Sequence, residues 1–181
     1  MASRPKARQW HLTIHSSRTR FAGRLNSGVR QSMDTSAKRS SAGKVKRHFG
    51  KLLSEFGFKR TKPTFWTRPN ATTIDFVHLH LYTFAPSFRV HCGVRALDDP
   101  FEAIALNGPS SNGAPLNPFD FDVSESSQES CANLMAGYVR DQESWFSDQR
   151  AQQHTPVASA SAGQGSSENR VRTARLLGIK E

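Results

Sequence analysis

The sequence predicts an α+β fold: an antiparallel meander sheet of about four to five strands, with an N-terminal helix and a C-terminal helix packed on it. Three observations predict it. A helical apolar stripe precedes the strand-rich middle of the chain, two alternating segments meet at Ala85-Pro86, and a second helical stripe follows at 126–152. Consecutive strands with helices at both ends are typical of this class.

The first helix is predicted at 44–56. Its apolar residues recur at intervals of three and four, which places them on one helical face: Val45, Phe49, Leu52, Leu53 and Phe56. Gly57 follows the last of them and is a favourable helix stop.

The strands are predicted from β-branched and aromatic runs between turn signals. A short strand at Phe65-Trp66 precedes long strands at 72–84 and 88–95. A tight turn centred on Ala85-Pro86 would pair Leu81 with Val90, Leu79 with Cys92 and Val77 with Val94, all on one core face. His80 would then oppose His91, and a slip of two residues would keep the faces but change the pairs.

Two more strands are predicted at 100–108 and 117–123. The second helix is predicted at 126–152, with a break near Glu143-Ser144. Its stripe comprises Cys131, Leu134, Met135, Tyr138 and Val139. Residues 169–179 are predicted as a short helix that either docks or stays free.

Charge and composition indicate the domain organisation. The 181 residues carry a net charge of +10, and seven of the 25 basic residues lie in 1–32, which has no acidic residue. We expect a disordered basic extension at 1–42, a single α+β domain at 43–153, a flexible linker at 154–168 and a short C-terminal helix or tail at 169–181.

Residues 1–32 also fit a phosphate-contacting arm or a transit-peptide-like leader. We favour an upstream extension with Met33 as the true start, because the helix signal begins shortly after it. From Met33 the chain has 18 basic and 15 acidic residues, so the domain is nearly balanced. No apolar run is long enough for a transmembrane helix, and two cysteines are too few for a disulfide scaffold.

Two runs, HFGKLLSEFGFKRTKPTFWTR and IDFVHLHLYTFAPSFRVHCGV, resemble the bacterial family known as domain of unknown function 4304. The similarity covers roughly 43–150. Its motifs are Gly57-Phe58-Lys59-Arg60, Thr64-Phe65-Trp66, the strand from Ile74 to Tyr82 and the strand from Phe88 to Val94.

The chain departs from the family pattern at two places. Ser144 precedes Trp145-Phe146 where proline is common, and His80-Leu81 stands where Gln-Lys is frequent. The resemblance implies a small, free-standing bacterial α+β domain, and it implies no particular activity.

A polar surface on the predicted hairpin is the candidate binding face. It comprises His78, His80, Tyr82, Arg89, His91 and Arg95. Arginine offers a planar fork of donors to a carboxylate or phosphate. Alternatively, His78, His80 and His91 hold Zn²⁺ with one open position. The third interpretation is an ordinary half-buried polar sheet face. We favour no metal and no cofactor, because no carboxylate on that face orients the imidazoles.

A second set of basic residues is a candidate for phosphate contacts: Lys46, Arg47, Lys59, Arg60 and Lys62. The competing interpretation is a charged loop over the edge of the core with Phe65 or Trp66 buried, and we favour it because a Trp beside a short strand usually packs. Cys92 and Cys131 lie on apolar stripes and are predicted to be buried, inert thiols.

No nucleotide-binding, hydrolase or metalloprotease motif is present. The sequence therefore favours a non-enzymatic cytoplasmic module with a protein partner and no membrane partner. One alternative is a nucleic-acid-binding protein that uses the basic N-terminal half. The other is a metal or anion site on the histidine-rich face, with hydrolysis as its activity.

Overall fold

The computed structural model describes residues 34–106, 108–111, 119–153 and 165–180, which form four helices and one antiparallel sheet of strand order β1-β2-β3-β4. The elements are α1 (Thr35–Ser54), β1 (Lys59–Lys62), β2 (Phe65–Pro69), β3 (Thr73–Leu81), β4 (Phe88–Ala96), α2 (Glu125–Arg140), α3 (Glu143–Gln153) and α4 (Gly165–Leu177). The predicted α+β meander is confirmed. Within these ranges no helix has the length and apolar character needed to cross a membrane.

Helix α1 is longer than predicted. It begins at Thr35, and the Asp34 side chain caps it by accepting a hydrogen bond from the Ser36 N–H at 3.2 Å. The predicted domain boundary after residue 42 therefore falls inside α1. Small residues carry the helix through 35–43, where there is no apolar stripe, and Ser41 is buried against α2 by a hydrogen bond from Gln128. Residues 1–33 lie outside the described part of the chain.

The end of α1 follows the prediction. Gly57 adopts a positive φ of 80°, which lets the Phe58 N–H turn back to the Leu53 carbonyl at 3.1 Å. This turn directs the chain into β1, a strand that the sequence analysis missed. The four residues of β1 are all polar, so they carry no alternation signal, and pairing with β2 through Lys59 and Thr67 defines the strand.

The predicted register of the β3–β4 hairpin is wrong by two residues. Leu81 pairs with Phe88 and Leu79 with Val90, so His78 faces His91. The connection is longer than a tight turn at Ala85-Pro86, because β3 ends at Leu81 and the next residue, Tyr82, closes the loop by donating its N–H to the Ser87 carbonyl at 3.0 Å. A shift of two preserves the faces, so the predicted core side is retained.

Neither of the two further predicted strands forms in the described residues. Ser110 and Asp120 instead make isolated antiparallel bridges to His91 and Ser87. The Cys92 N–H donates to the Pro109 carbonyl at 2.9 Å. These segments cover much of the outer edge of β4, which would otherwise present unpaired backbone groups.

The predicted helix at 126–152 is divided at Asp141-Gln142 into α2 and α3, close to the expected break. The main core lies between these helices, α1 and one face of the sheet. It is built on buried aromatic and aliphatic side chains, including Phe49, Trp66, Val77, Met135 and Phe146. The Phe49 and Trp66 rings meet edge to face, with centroids 5.0 Å apart.

Helix α4 packs on part of the other sheet face. It begins at Gly165, inside the predicted linker, and the rest of that linker, 154–164, lies outside the described residues. Leu177 packs with Ile74 and Phe76 in a second core. Lys62 also donates from its Nζ to the Leu176 carbonyl, so the predicted C-terminal helix is docked.

A buried ion network joins the sheet to α3. Arg68 donates to Asp75, which is fully buried, and bonds both carboxylate oxygens of Glu143 at 2.9 and 3.0 Å. Arg150 contacts the same Asp75 oxygen. Burial lowers the pKa of the Arg68 guanidinium, but the hydrogen bonds and charges of Glu143 and Asp75 outweigh that effect and raise it.

Replacing Arg68 by Leu should cost about 1.5–3 kcal/mol in the free energy of unfolding, because the buried Asp75 carboxylate loses one of its two charged donors and keeps only Arg150. Urea denaturation measures this loss. Arg140→Leu is the matched control, since Arg140 is exposed and its loss should cost well under about 1 kcal/mol. Equal losses in the two variants would contradict this account of the network.

The Phe76 ring lies directly over Gly93 of the neighbouring strand. A Cβ atom at Gly93 would stand 2.2 Å from the ring, which no real contact allows. Gly93→Ala should therefore destabilise the protein by about 1–3 kcal/mol through overpacking. Gly43→Ala is the control: its Cβ has ordinary space in α1 and should stabilise the helix by about 0.5–1 kcal/mol. Thermal melts that show no difference between the variants would refute the steric argument.

Candidate functional site

The second sheet face carries five polar residues near the β3–β4 turn, beyond the part where α4 docks. We call this surface the histidine face and define it as His78, His80, Tyr82, Arg89 and His91. The register places His78 opposite His91 and His80 opposite Arg89. Because side chains alternate along a strand, these four residues lie on one side of the sheet.

His78 and His91 form a half-buried pair. Their ring centroids are 5.9 Å apart, and the Phe65 ring lies 4.4 Å from His78 on the other side. The Nδ1 atoms of both histidines are buried without a hydrogen-bond partner among the described residues. Burial, His91 and His80 lower the pKa of His78 to about 4; burial, Arg89 and His80 lower that of His91. Both imidazoles are therefore neutral at pH 7.

Arg89 supplies the positive charge of the histidine face. Its Nε donates to the Tyr82 hydroxyl at 2.9 Å, and the guanidinium lies 5.2 Å from the centre of the tyrosine ring. The exposed His80 ring meets Tyr82 edge to face at 5.6 Å. Tyr82 thus orients Arg89, while His80 beside it remains exposed.

Arg95 is separated from the other predicted face residues. It is buried, and it donates to the Thr173 hydroxyl of α4 and to the backbone carbonyls of Phe101 and Ala103. A cavity of about 580 Å³ lies beside it, lined also by Phe76 and Phe101. The donors of Arg95 are used to dock α4 and the segment after β4, so its role here is structural.

Of the candidate phosphate contacts, some are already bound within the protein and others are exposed. Arg60 lies 5.5 Å from the centre of the Trp66 ring and donates to the Lys62 and Pro63 carbonyls. Lys62 is held by α4. Arg47 and Lys59 remain exposed, whereas Lys46 is half-buried, and burial together with nearby Arg60 lowers its pKa. Trp66 itself is buried, as predicted.

The two thiols are buried, as predicted. Burial raises the pKa of Cys92 and of Cys131 to about 12, so the reactive thiolate is scarce at neutral pH. Neither cysteine lies on the histidine face. The geometry therefore offers hydrogen bonding and charge recognition rather than a cysteine nucleophile.

The sequence analysis missed one exposed feature beside this face. Phe84 lies in the β3–β4 loop and is 100% exposed. Lys38 of α1 ties the base of the loop by donating from its Nζ to the Tyr82 and Thr83 carbonyls, both at 2.7 Å. The available signal was an aromatic residue two positions before Pro86 in the predicted turn, but its exposure depends on this tertiary anchor.

Comparison of the chain with family models, curated proteins and solved structures finds no match. The resemblance to the family of unknown function therefore stays a prediction from the sequence. The class that fold and site define is a small α+β domain with a partly open, polar sheet face.

The depressed pKa of His78 predicts acid sensitivity. The pKa of His78 is near 6.5 in the unfolded chain and about 4 in the folded chain. Between these two pH values the unfolded chain therefore binds a proton that the folded chain does not bind. Stability is therefore full above pH 6.5 and falls as the pH drops towards 4. We expect His78→Asn to reduce the loss of melting temperature between pH 7 and 4 by a few degrees.

An exposed, non-titrating position of α2 provides the control for this measurement, and Leu134→Ala should leave the pH dependence nearly unchanged. Melting curves recorded at intervals from pH 7 to 4 distinguish the two variants. If His78→Asn and the wild-type protein lose the same melting temperature, His78 is not the acid-sensitive group.

Proposed function

We propose that this protein is a non-enzymatic protein-interaction module. It binds an acidic segment of a partner protein across the histidine face and the neighbouring loop tip. The observation that carries the proposal is the fully exposed Phe84, which follows Tyr82 in the same anchored loop. Aromatic side chains and arginines are enriched among the residues that anchor protein interfaces.

Charge complementarity supports an acidic partner. No strand residue on the same side of the sheet as His78 and His91 is a carboxylate, and Asp75 points to the opposite side, where Arg68 and Arg150 bind it. Arg89 brings a positive charge that Tyr82 already orients. A partner carboxylate would therefore meet a fixed donor without an acidic neighbour to repel it.

The neutral imidazoles support hydrogen bonding rather than ion pairing. At pH 7 the lowered pKa values leave His78 and His91 able both to donate and to accept. Hydrolysis at this face has less support, since His78, His80 and His91 are not among the described ligand groups that lie within 4.8 Å of one another. From the family resemblance, we further propose that the module acts in the bacterial cytoplasm.

The test is photo-crosslinking from the loop tip in the source cells. A benzophenone amino acid replaces Phe84, and the same residue replaces Leu134, an exposed position on α2, as the control. We expect one discrete protein adduct from position 84, none from position 134, and loss of the adduct when Arg89→Gln is added. The crosslinked partner segment, made as a peptide, should be acidic and bind at least about tenfold more weakly to Arg89→Gln.

Several outcomes would overturn the proposal. Adducts of equal yield from both positions indicate a nonspecific surface, and the absence of any adduct indicates that the loop has no partner. A crosslink that nuclease removes would instead support the nucleic-acid alternative, whose binding should weaken steeply with salt.

A further inference from the structure

A second group of chemically active side chains lies away from the histidine face, where α1 meets α2. His48 of α1 and Glu125 and Glu129 of α2 each bring a ligand atom to within 4.8 Å of the other two. The two glutamates are four residues apart and therefore share one side of α2. The juxtaposition is thus built from the helical spacing and from the packing of one helix on the other.

The donor set is chemically specific. One imidazole nitrogen and two carboxylate oxygens are ligands that Zn²⁺ accepts, with bonds of roughly 2.0–2.2 Å and a fourth position left for water. The glutamate side chains are exposed and free to close by the small distance required, while His48 is half-buried and better fixed. A harder ion such as Mg²⁺ is less suited, because it prefers an all-oxygen environment.

None of the three side chains makes a hydrogen bond or ion pair with another described residue. Two carboxylates held this close repel each other unless a positive charge lies between them. Lys51 lines the same cavity as His48 and Glu129, but among the described residues it forms no ion pair with Glu129. The cluster therefore presents unneutralised ligands rather than a completed salt bridge.

Two further features favour a site at this position. A cavity of about 220 Å³ lies against the cluster, lined by His48, Glu129 and Asn133 among others, and it provides room for an ion and its water. The buried hydrogen bond between Gln128 and Ser41 fixes α2 against α1 independently of the ligands. The helix backbones are thus pre-organised, and only side chains need to move.

We propose that His48, Glu125 and Glu129 form a binding site for a divalent transition metal of the zinc class, which joins α1 to α2 and keeps an open position for water. The site is independent of the proposed function of the histidine face. The chain's other histidines include potential competing sites, so the experiment must separate them.

The experiment titrates the full chain with Zn²⁺ after chelator treatment. We expect one equivalent to bind by calorimetry and the melting temperature to rise by about 5–10 °C when free zinc exceeds the dissociation constant a hundredfold. Glu129→Gln and His48→Asn should each weaken binding at least about tenfold. Lys51→Gln should tighten it, because a neighbouring positive charge is removed from the cavity.

Two controls identify where the metal binds. Glu55→Gln removes an exposed charge just after the end of α1, and His80→Asn removes a histidine from the histidine face. Both variants should bind zinc as the wild type does. Binding that survives in His48→Asn or that is lost in His80→Asn would overturn the assignment, as would the absence of stoichiometric zinc. Equal affinity in Lys51→Gln and wild type would also count against a site in this cavity.

Discussion

The guanidinium of Arg68 links the sheet, α3 and the segment that follows α1. It donates to the buried Asp75 carboxylate of β3, to the Glu143 carboxylate of α3, and to the Phe56 carbonyl just after α1. Its flat surface lies 4.4 Å from the centre of the Phe58 ring. Because a buried carboxylate is unfavourable without cationic partners, the orientation of α3 and the path of the chain after α1 are coupled to one side chain.

The two faces of the sheet are covered to different extents. The side that carries Asp75 is closed by α1, α2 and α3, and it holds the main core. On the opposite side, α4 and the segment after β4 pack on Phe76 and Arg95, and the end that carries His78 and His91 keeps half-buried and exposed polar groups. A packed side and a partly exposed polar side are together what the proposed binding role requires of a small domain.

Particular residues show how far sequence patterns reach. The stripe through Val45 and Phe49 predicted a buried helix face correctly, because periodic burial is a local consequence of helix geometry. The separation of Arg95 from the histidine face was not predictable, because strand alternation assigns a side but does not say which part another helix will cover. The cluster at His48 and Glu129 was also missed, since its members are about 80 residues apart and only packing unites them.

The sequence by itself determined the α+β class, the apolar stripe of α1, the two sides of the long strands and the burial of Trp66, whereas Leu134 of the predicted second stripe is exposed. These properties depend on the alternation or periodicity of neighbouring residues. The tertiary structure decided the hairpin register, the strand β1 and the docking of α4 through Thr173 and Leu176. Those features depend on loop closure and on contacts between distant segments, whose free energies no local pattern contains. Within the described residues the basic character is concentrated in α1, which holds six basic residues and no acidic one.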